Sequence, residues 1–547
     1  MRKPVMVLFI LGLLNWGLLV TPVHSRNAAV PPPTSIDKVD QDLTEALSVV
    51  EEKYAAPVTA QTMIDSAIET MLHTLDPHSS YYNKEAYEQF RTEQQSEYFG
   101  VGIRLDFKNN RTYVASTGEG TPAGLAGLKY GDEIIEVSGK SIDDIQYGQV
   151  FRYVRGPRGT TVDIKVKRLG VAEPLTFHIT RDAVPQPSIP YAFMISPGIG
   201  YIAITDGFNT TTGAEMDAAL EKLKEQGLKQ LVLDLRGNRG GLTIEAERVA
   251  SHFLDYGSGI YSQRGRVEGI SREITARNRN PEKFPLVLMV DGNSASATEI
   301  VAGAIQDHDR GLLVGERTFG KGLIQLPSSD PALRGGGLIL TVGRYFTPSG
   351  RLIQRQYDGM SYWDYYASRR GGEAALPTET GDKHKTDSGR TVYGGRGITP
   401  DDVIKPKALT VTEVRLLDPI FGFTREVTAG QIKAPGLEAF KIDTLDHNHV
   451  LKDTDYVVTD DVMNAFRVYA KQHEEYKLSE EVITRNLDFI KNRIRAEFVT
   501  AAYGMAAAYQ VTLSEDNQVQ EAIKDLPKAK ELADHASSID KSRTGNK

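Results

Sequence analysis

The hydrophobic positions of this chain change period several times, and each change marks a different kind of element. Over residues 36–95 apolar side chains recur at helical spacing. Val39, Leu43, Ala46, Val49 and Val50 line one face, and Met63, Ile64, Ala67, Ile68, Met71 and Leu72 line another. Proline disfavours helix in the residue before it, so Pro77 in the phrase LDPHSSYY ends the second helix. Ser79 or Ser80 is then expected to cap the next helix and His78 to pack locally, rather than form a catalytic pair. Over 98–181 the period shortens: GVGIRLD, TYVAST, DEIIEVSG, TVDIKVKR and LTFHIT are strand-like runs between glycine turns. Over 199–407 the apolar runs GYIAI, QLVLDLR, PLVLMV, LLVGE and LILTVGRYF alternate with helical patterns at 213–225 and 244–253, which predicts a mixed α/β core. Residues 357–390 are polar, aromatic and without a clean period, as in a surface insertion. From Pro435 the chain is polar and helical, at 460–474, 480–499 and 515–536, with a tail at 537–547 expected to be disordered.

Composition narrows this picture. A length of 547 residues suits three or four domains at about 150 residues each. The net charge of −8, with no block of like charge, argues against nucleic acid as a partner. The absence of cysteine excludes disulfides, thiol catalysis and cysteine-held zinc. At the N-terminus, Arg2 and Lys3 precede an apolar run at 5–20, and Val23 and Ser25 occupy the −3 and −1 positions of a cleavage site. This predicts a signal peptide cut after Ser25. The alternative is an uncleaved anchor, but the run is short for a spanning helix and contains Asn15. Either way the body of the chain lies outside the cytoplasm. Pro31, Pro32 and Pro33 then make a linker.

Candidate chemistry concentrates in 285–325. A buried strand runs into a small-residue turn, then a helix starting at Ala297, then a lysine between two glycines. A serine hydroxyl needs a group to take its proton, and none of the 11 histidines is marked for the task; His308, between Asp307 and Asp309, suits a surface residue. Lysine serves when burial without a counter-ion keeps it neutral, and Gly320 and Gly322 bring no charge to Lys321. If 323–326 is a strand, Lys321, Leu323 and Gln325 share a face, so Gln325 can hold the lysine amine without charging it. Ser296 is favoured over Ser294 because it directly precedes the helix, where the Ala297 N–H faces a developing oxyanion. The glycine turn at Gly240 and Gly241 is a source for a second N–H.

Two resemblances follow. TPAGLAGL with KYGDEII (121–135) resembles the PDZ signature, residues 142–155 stand where the ligand-flanking helix of that fold would be, and Phe99, Gly100, Val101, Gly102 and Ile103 resemble its carboxylate-binding loop. Glycines there let backbone N–H groups converge on a peptide carboxylate beside a free strand edge. The chain from about 36 to 407 resembles the carboxy-terminal processing peptidases, or tail-specific proteases, of Ser/Lys type. The motifs that carry this are LDPHSSY, DLRGNRGG, NSASATEIVAGAIQD, GERTFGKGLIQ, LTVGRYFTPSGR and GRGITPD. The resemblance implies Ser296 as nucleophile, Lys321 as general base, Gln325 as its orienting partner and the N–H groups of Gly241 and Ala297 as the oxyanion hole. Lys321 and Gln325 follow Ser296 by 25 and 29 positions, as the family motif requires. Arg239 and Thr298 depart from the family pattern without removing a catalytic atom.

The expected architecture is α+β and multidomain: signal peptide 1–25, linker 26–35, N-terminal helical region 36–97, PDZ domain 98–183, protease core 184–410 with the insertion 357–390, and a mostly helical C-terminal region 411–547 offering an assembly surface. The expected activity is that of an exported, periplasmic serine endopeptidase, associated with the inner membrane. It needs no metal or other cofactor and takes protein clients by their C-terminal tails. An envelope adaptor and a homo-oligomer are the other partners expected. Two rivals stand beside it. GERTFGK matches part of a phosphate-binding loop, but Gly322 replaces the required hydroxyl residue and a strand-like run follows. A non-catalytic PDZ scaffold on a degenerate core is opposed by the survival of Ser296, Lys321 and Gln325 together.

Overall fold

The computed structural model describes residues 35–544 apart from 146, 329–332, 334 and 368–380. The expected signal peptide, nearly all of the linker and the middle of the expected insertion lie outside the described residues. Among the described residues no helix is long and apolar enough to cross a membrane. The chain divides into two compact units at Thr70 and Met71. In the first, Ser35 caps the helix Ile36–Lys53 by accepting from the Lys38 N–H, and none of that helix is buried.

The second unit is built on a six-stranded sheet. Its strands run in the order Tyr191–Ser196, Ile199–Ala203, Gln230–Asp234, Leu286–Val290, Leu312–Gly315 and Asp402–Val403, with only the first antiparallel. Parallel strands need cover on both faces. Ile202, Leu231, Leu233, Leu286 and Leu288 pack under the helices Thr212–Glu225, Thr243–Ser251 and Ala297–Asp307, through Leu220, Val249, Ile300 and Ala304. Tyr201, Val232, Val287, Met289 and Val314 point the other way, onto Val519, Ala522, Leu526 and Ala529. These belong to the helix Asn517–Thr544. The C-terminal segment expected to offer an assembly surface thus forms a layer of the core, and the tail expected to be disordered stays helical to Thr544.

A second sheet brings the N-terminal LDPHSSYY phrase to the core. Ser80–Tyr82 pairs antiparallel with the start of Gly337–Phe346, Ser80 opposite Ile339, while Leu323–Ser328 pairs along the same strand. Neither Ser79 nor Ser80 caps the following helix, Lys84–Glu93; Asn83 does, through the Ala86 N–H. The strand 323–328 also removes the phosphate-loop reading, because no helix N-terminus follows Lys321.

The PDZ region carries the strands Ile103–Lys108, Arg111–Thr117, Glu133–Val137, Thr161–Lys167 and Leu175–Thr180 and the helix Tyr147–Val154. It is fastened to a helical layer whose first member, Val411–Thr428, does not stand out in the sequence. Tyr130 donates its hydroxyl to Glu497 at 2.7 Å, Arg425 donates to the Gly131 carbonyl at 2.6 Å, and the Tyr113 and Phe421 rings lie 4.9 Å apart. The helix expected over 480–499 is broken at Asn486 into Glu480–Arg485 and Leu487–Tyr503. Two further expectations change. The insertion contributes the helix Tyr362–Ala367, whose Tyr365 is buried. His308 is not a loose surface residue: it bridges Asp387 and the Gly259 carbonyl, while Asp307 and Asp309 on either side are buried against Arg351 and Arg390.

Candidate active site

The strand Leu286–Val290 delivers the chain into a tight turn at 291–295. Asp291 accepts from the Asn293 and Ser294 N–H groups, and the Ser294 hydroxyl is engaged by Asp291 and by the Leu235 carbonyl at 2.9 Å. Ser294 is therefore a buried turn residue. Ser296 follows with φ 57° and ψ −117°, the conformation of the first central residue of a type II′ turn, where glycine is usual. A serine held there costs on the order of 1–3 kcal/mol. The helix Ala297–Asp307 starts immediately after it.

The residue that holds Ser296 in this conformation is Glu299, fully buried one turn into the helix. One of its oxygens accepts from the backbone N–H of Ser296 at 2.8 Å and of Lys321 at 2.9 Å. The other accepts from the Thr318 hydroxyl at 2.5 Å and the Gly320 N–H at 2.7 Å. Burial pushes its carboxyl up to about 7 against those donors. Tyr345 makes a second bridge, its hydroxyl lying 3.0 Å from the Ser296 carbonyl and 2.7 Å from that of Lys321. Ser296 and Lys321 are thus tied backbone to backbone through one carboxylate and one phenol. Sequence reasoning misses both ties, although Ser296-Ala-Thr-Glu299 has the S-x-x-E spacing of a capping box.

Lys321 sits where the flanking glycines let the chain pass close to the segment 353–397. A Cβ on Gly320 would lie 2.9 Å from the Gly397 nitrogen, and one on Gly322 would lie 2.9 Å from that of Gln354. Burial lowers the Lys321 ammonium to about 8, opposed by the charges of Asp76 and Glu299. Its Nζ donates to Gln325 Oε1 at 2.6 Å, the pairing expected from strand alternation. Gln325 in turn donates its amide nitrogen to the His78 carbonyl.

His78 does not pack locally, contrary to expectation. Its ring lies between Tyr365 and Tyr366, with Nε2 3.0 Å from the Tyr365 hydroxyl and Nδ1 3.1 Å from that of Tyr366. Burial, followed by the nearby Lys321 and Arg355 charges, drives its pKa down to about 3. It is a neutral ring.

The glycine turn completes the arrangement. A Cβ on Gly240 would stand 2.8 Å from the Ser296 Cβ and 3.0 Å from the Ala297 nitrogen. Asn238 locks the turn to the helix start: its carbonyl accepts from the Ala295 N–H at 3.0 Å and from the Thr298 hydroxyl at 2.9 Å, and its side-chain oxygen accepts from Gly240 at 2.9 Å. Thr298, a departure from the family pattern, supplies this tie. Among the described residues nothing accepts from the N–H of Gly241 or of Ala297. The two donors named for the oxyanion hole are therefore uncommitted, one on the residue after Ser296 and the other on the residue after Gly240.

The peptide-binding residues occupy the entry to the PDZ sheet. Phe99 and Gly100 close a short ribbon with Asp182–Pro185. Val101 and Ile103 put their side chains into the PDZ core, so only backbone remains there for a ligand. The strand Ile103–Lys108 is the end strand of the PDZ sheet in its hydrogen-bonded order, paired there with Arg111–Thr117.

Comparison with known proteins places the chain. Residues 198–361 match peptidase family S41 and residues 113–168 match a PDZ domain. The chain is 37% identical over 310 residues to the carboxy-terminal-processing protease of Bartonella bacilliformis, covering 56% of this chain and 70% of that one. It is 32% identical over 324 residues to the carboxy-terminal processing protease CtpA of Bacillus subtilis, covering 59% and 68%. The chain is a peptidase of family S41. Within that family it belongs to the carboxy-terminal processing proteases. Among solved structures, the photosystem II D1 C-terminal processing protease is similar at 25% identity over 68% of this chain and 94% of its own, with a TM-score of 0.35.

Proposed function

We propose that this protease cleaves by a Ser/Lys acyl-enzyme mechanism. The observation that carries the reading is a half-buried lysine, with its pKa lowered to about 8, donating to an uncharged acceptor and tied through Glu299 and Tyr345 to the backbone of a strained serine. Neutral Lys321 takes the Ser296 proton as Oγ attacks the scissile carbonyl carbon. The carbonyl oxygen becomes an oxyanion, held by the N–H groups of Gly241 and Ala297. The tetrahedral centre collapses, the peptide amine leaves with the proton from Lys321, and water repeats the sequence on the acyl-enzyme.

The PDZ region is the capture site for a client's C-terminal tail, which would add as a strand beside Ile103–Lys108, the end strand of the sheet, with its carboxylate at 99–103. Export through residues 1–25 to the periplasm, an envelope adaptor and self-association complete the proposal.

The test is cleavage of an unstructured peptide with an apolar C-terminus. Ser296→Ala should abolish it, and equal cleavage by both proteins overturns the assignment. Because the lysine must be neutral, the wild-type rate should rise about tenfold per pH unit below a midpoint near 8 and level off above it. A profile flat from acid to alkaline pH overturns lysine as the base.

A further inference from the structure

The turn at 76–79 lies more than two hundred residues upstream of the serine and is absorbed by no step above, yet it touches the site at two points. Asp76 is buried, and one of its oxygens accepts from the N–H groups of His78 and Ser79 at 2.8 and 2.9 Å. The other accepts from the Ser79 hydroxyl at 2.7 Å. Ser79 Oγ in turn accepts from the Thr341 N–H at 3.1 Å, and Thr341 is the cross-strand partner of Gln325. The turn is thus pinned to the strand pair that carries Gln325, at the point where the register shifts between Ile324 and Gln325.

What this turn offers Gln325 is the His78 carbonyl, an acceptor with no proton to give. A glutamine amide can rotate to exchange its oxygen and nitrogen, and only its partners decide which end points where. With Nε2 committed to a carbonyl, Oε1 must face Lys321. A neutral amine that spends one N–H on Oε1 then has its lone pair directed away from Gln325. The His78 ring holds the carbonyl in place from behind. The Tyr366 hydroxyl donates to the Pro77 carbonyl at 3.1 Å, so it accepts from Nδ1–H, and the Tyr365 hydroxyl donates to Nε2.

We propose that the 76–79 turn is a positioning element for the lysine, setting the rotation of the Gln325 amide that holds it. This rests on the Ser/Lys reading. The charged groups acting on Lys321 are Asp76 from this turn and Glu299 from the helix. Arg355 and Lys321 both act on the neutral His78. Asp76 favours the ammonium, so removing its charge should make Lys321 easier to deprotonate.

The experiment is the rate of phosphonylation of Ser296 by a fluorophosphonate in the full chain as a function of pH. Oγ bonds to phosphorus, fluoride leaves and the proton passes to Lys321, so no PDZ contact is needed. Asp76→Asn should move the midpoint of the profile down by about one pH unit. Ser79→Ala keeps the carboxylate but frees the turn from Thr341, so it should leave the midpoint in place and lower the plateau about tenfold. An unmoved midpoint in Asp76→Asn overturns the charge role, and a wild-type plateau in Ser79→Ala overturns the positioning role. Ser79→Ala alone decides if Asp76→Asn does not fold. Equal labelling of wild type and Ser296→Ala would overturn the Ser/Lys reading itself, and this inference with it; a normal wild-type profile with both variants unchanged overturns only the inference.

Discussion

Glu299 and Asp76 are two buried carboxylates acting on the same lysine, and they reach it by opposite routes. Glu299 is three residues from Ser296 and binds backbone: the amides of Ser296, Gly320 and Lys321, with the Thr318 hydroxyl. Asp76 is remote in sequence and spends its oxygens on its own turn, reaching the lysine through the His78 carbonyl, Gln325 and its charge. The first fixes where the chain runs and the second fixes how the side chains on it point. A carboxylate that satisfies backbone amides becomes part of the fold. One that organises a neighbouring turn bears chiefly on how the side chains beside it are set.

Three substitutions sharpen that contrast. Lys321→Arg bears on both halves at once, because a guanidinium stays charged whatever surrounds it. Peptide cleavage should fall by about 10²–10⁴-fold at every pH, and an active arginine variant would sink the lysine's role. Glu299→Ala should be the main stability effect. It leaves three amides and a hydroxyl without their acceptor, and denaturant unfolding should show a loss of about 3–5 kcal/mol, where the Asp76→Asn chain should unfold closer to wild type. If the two lose the same stability, the division between fold and chemistry fails. The smallest effect belongs to Thr298→Ser, which keeps the hydroxyl bonded to Asn238 and loses one buried methyl. About 1 kcal/mol of stability and nearly unchanged kcat are expected; a large drop in kcat would mean that the methyl, and not the hydroxyl tie, holds the glycine turn.

Much of the near half is legible in the sequence. PLVLMV is continuous and apolar because its strand is covered on both faces, and Ser296 at the start of an apolar helical pattern marks a strand–turn–helix. The spacing of Lys321 and Gln325 at a strand entry agrees with the bond between them. The S-x-x-E spacing also carries a trace of Glu299. The far half is not legible in this way. A capping role for Ser79, which Asn83 fills, and local packing for His78 are what their neighbours in sequence suggest, while the real partners are Thr341, Gln325, Tyr365 and Tyr366. The tyrosines come from a stretch whose composition is that of an idle insertion. The C-terminal helix likewise reads as separate from the core, although a parallel sheet requires a second covering layer and Val519, Ala522 and Leu526 provide it.

The sequence alone determined most of the core elements, their order, and the serine, lysine and glutamine that share one short stretch, because periodicity, turn chemistry and capping are local properties of neighbouring residues. The tertiary structure decided which donors and acceptors meet. It brought Asn238 and the glycine turn under the helix start, Tyr345 across the two carbonyls and the 76–79 turn behind Gln325. A buried polar group must find a partner wherever the packing of apolar faces places one, and that placement is a property of the closed fold.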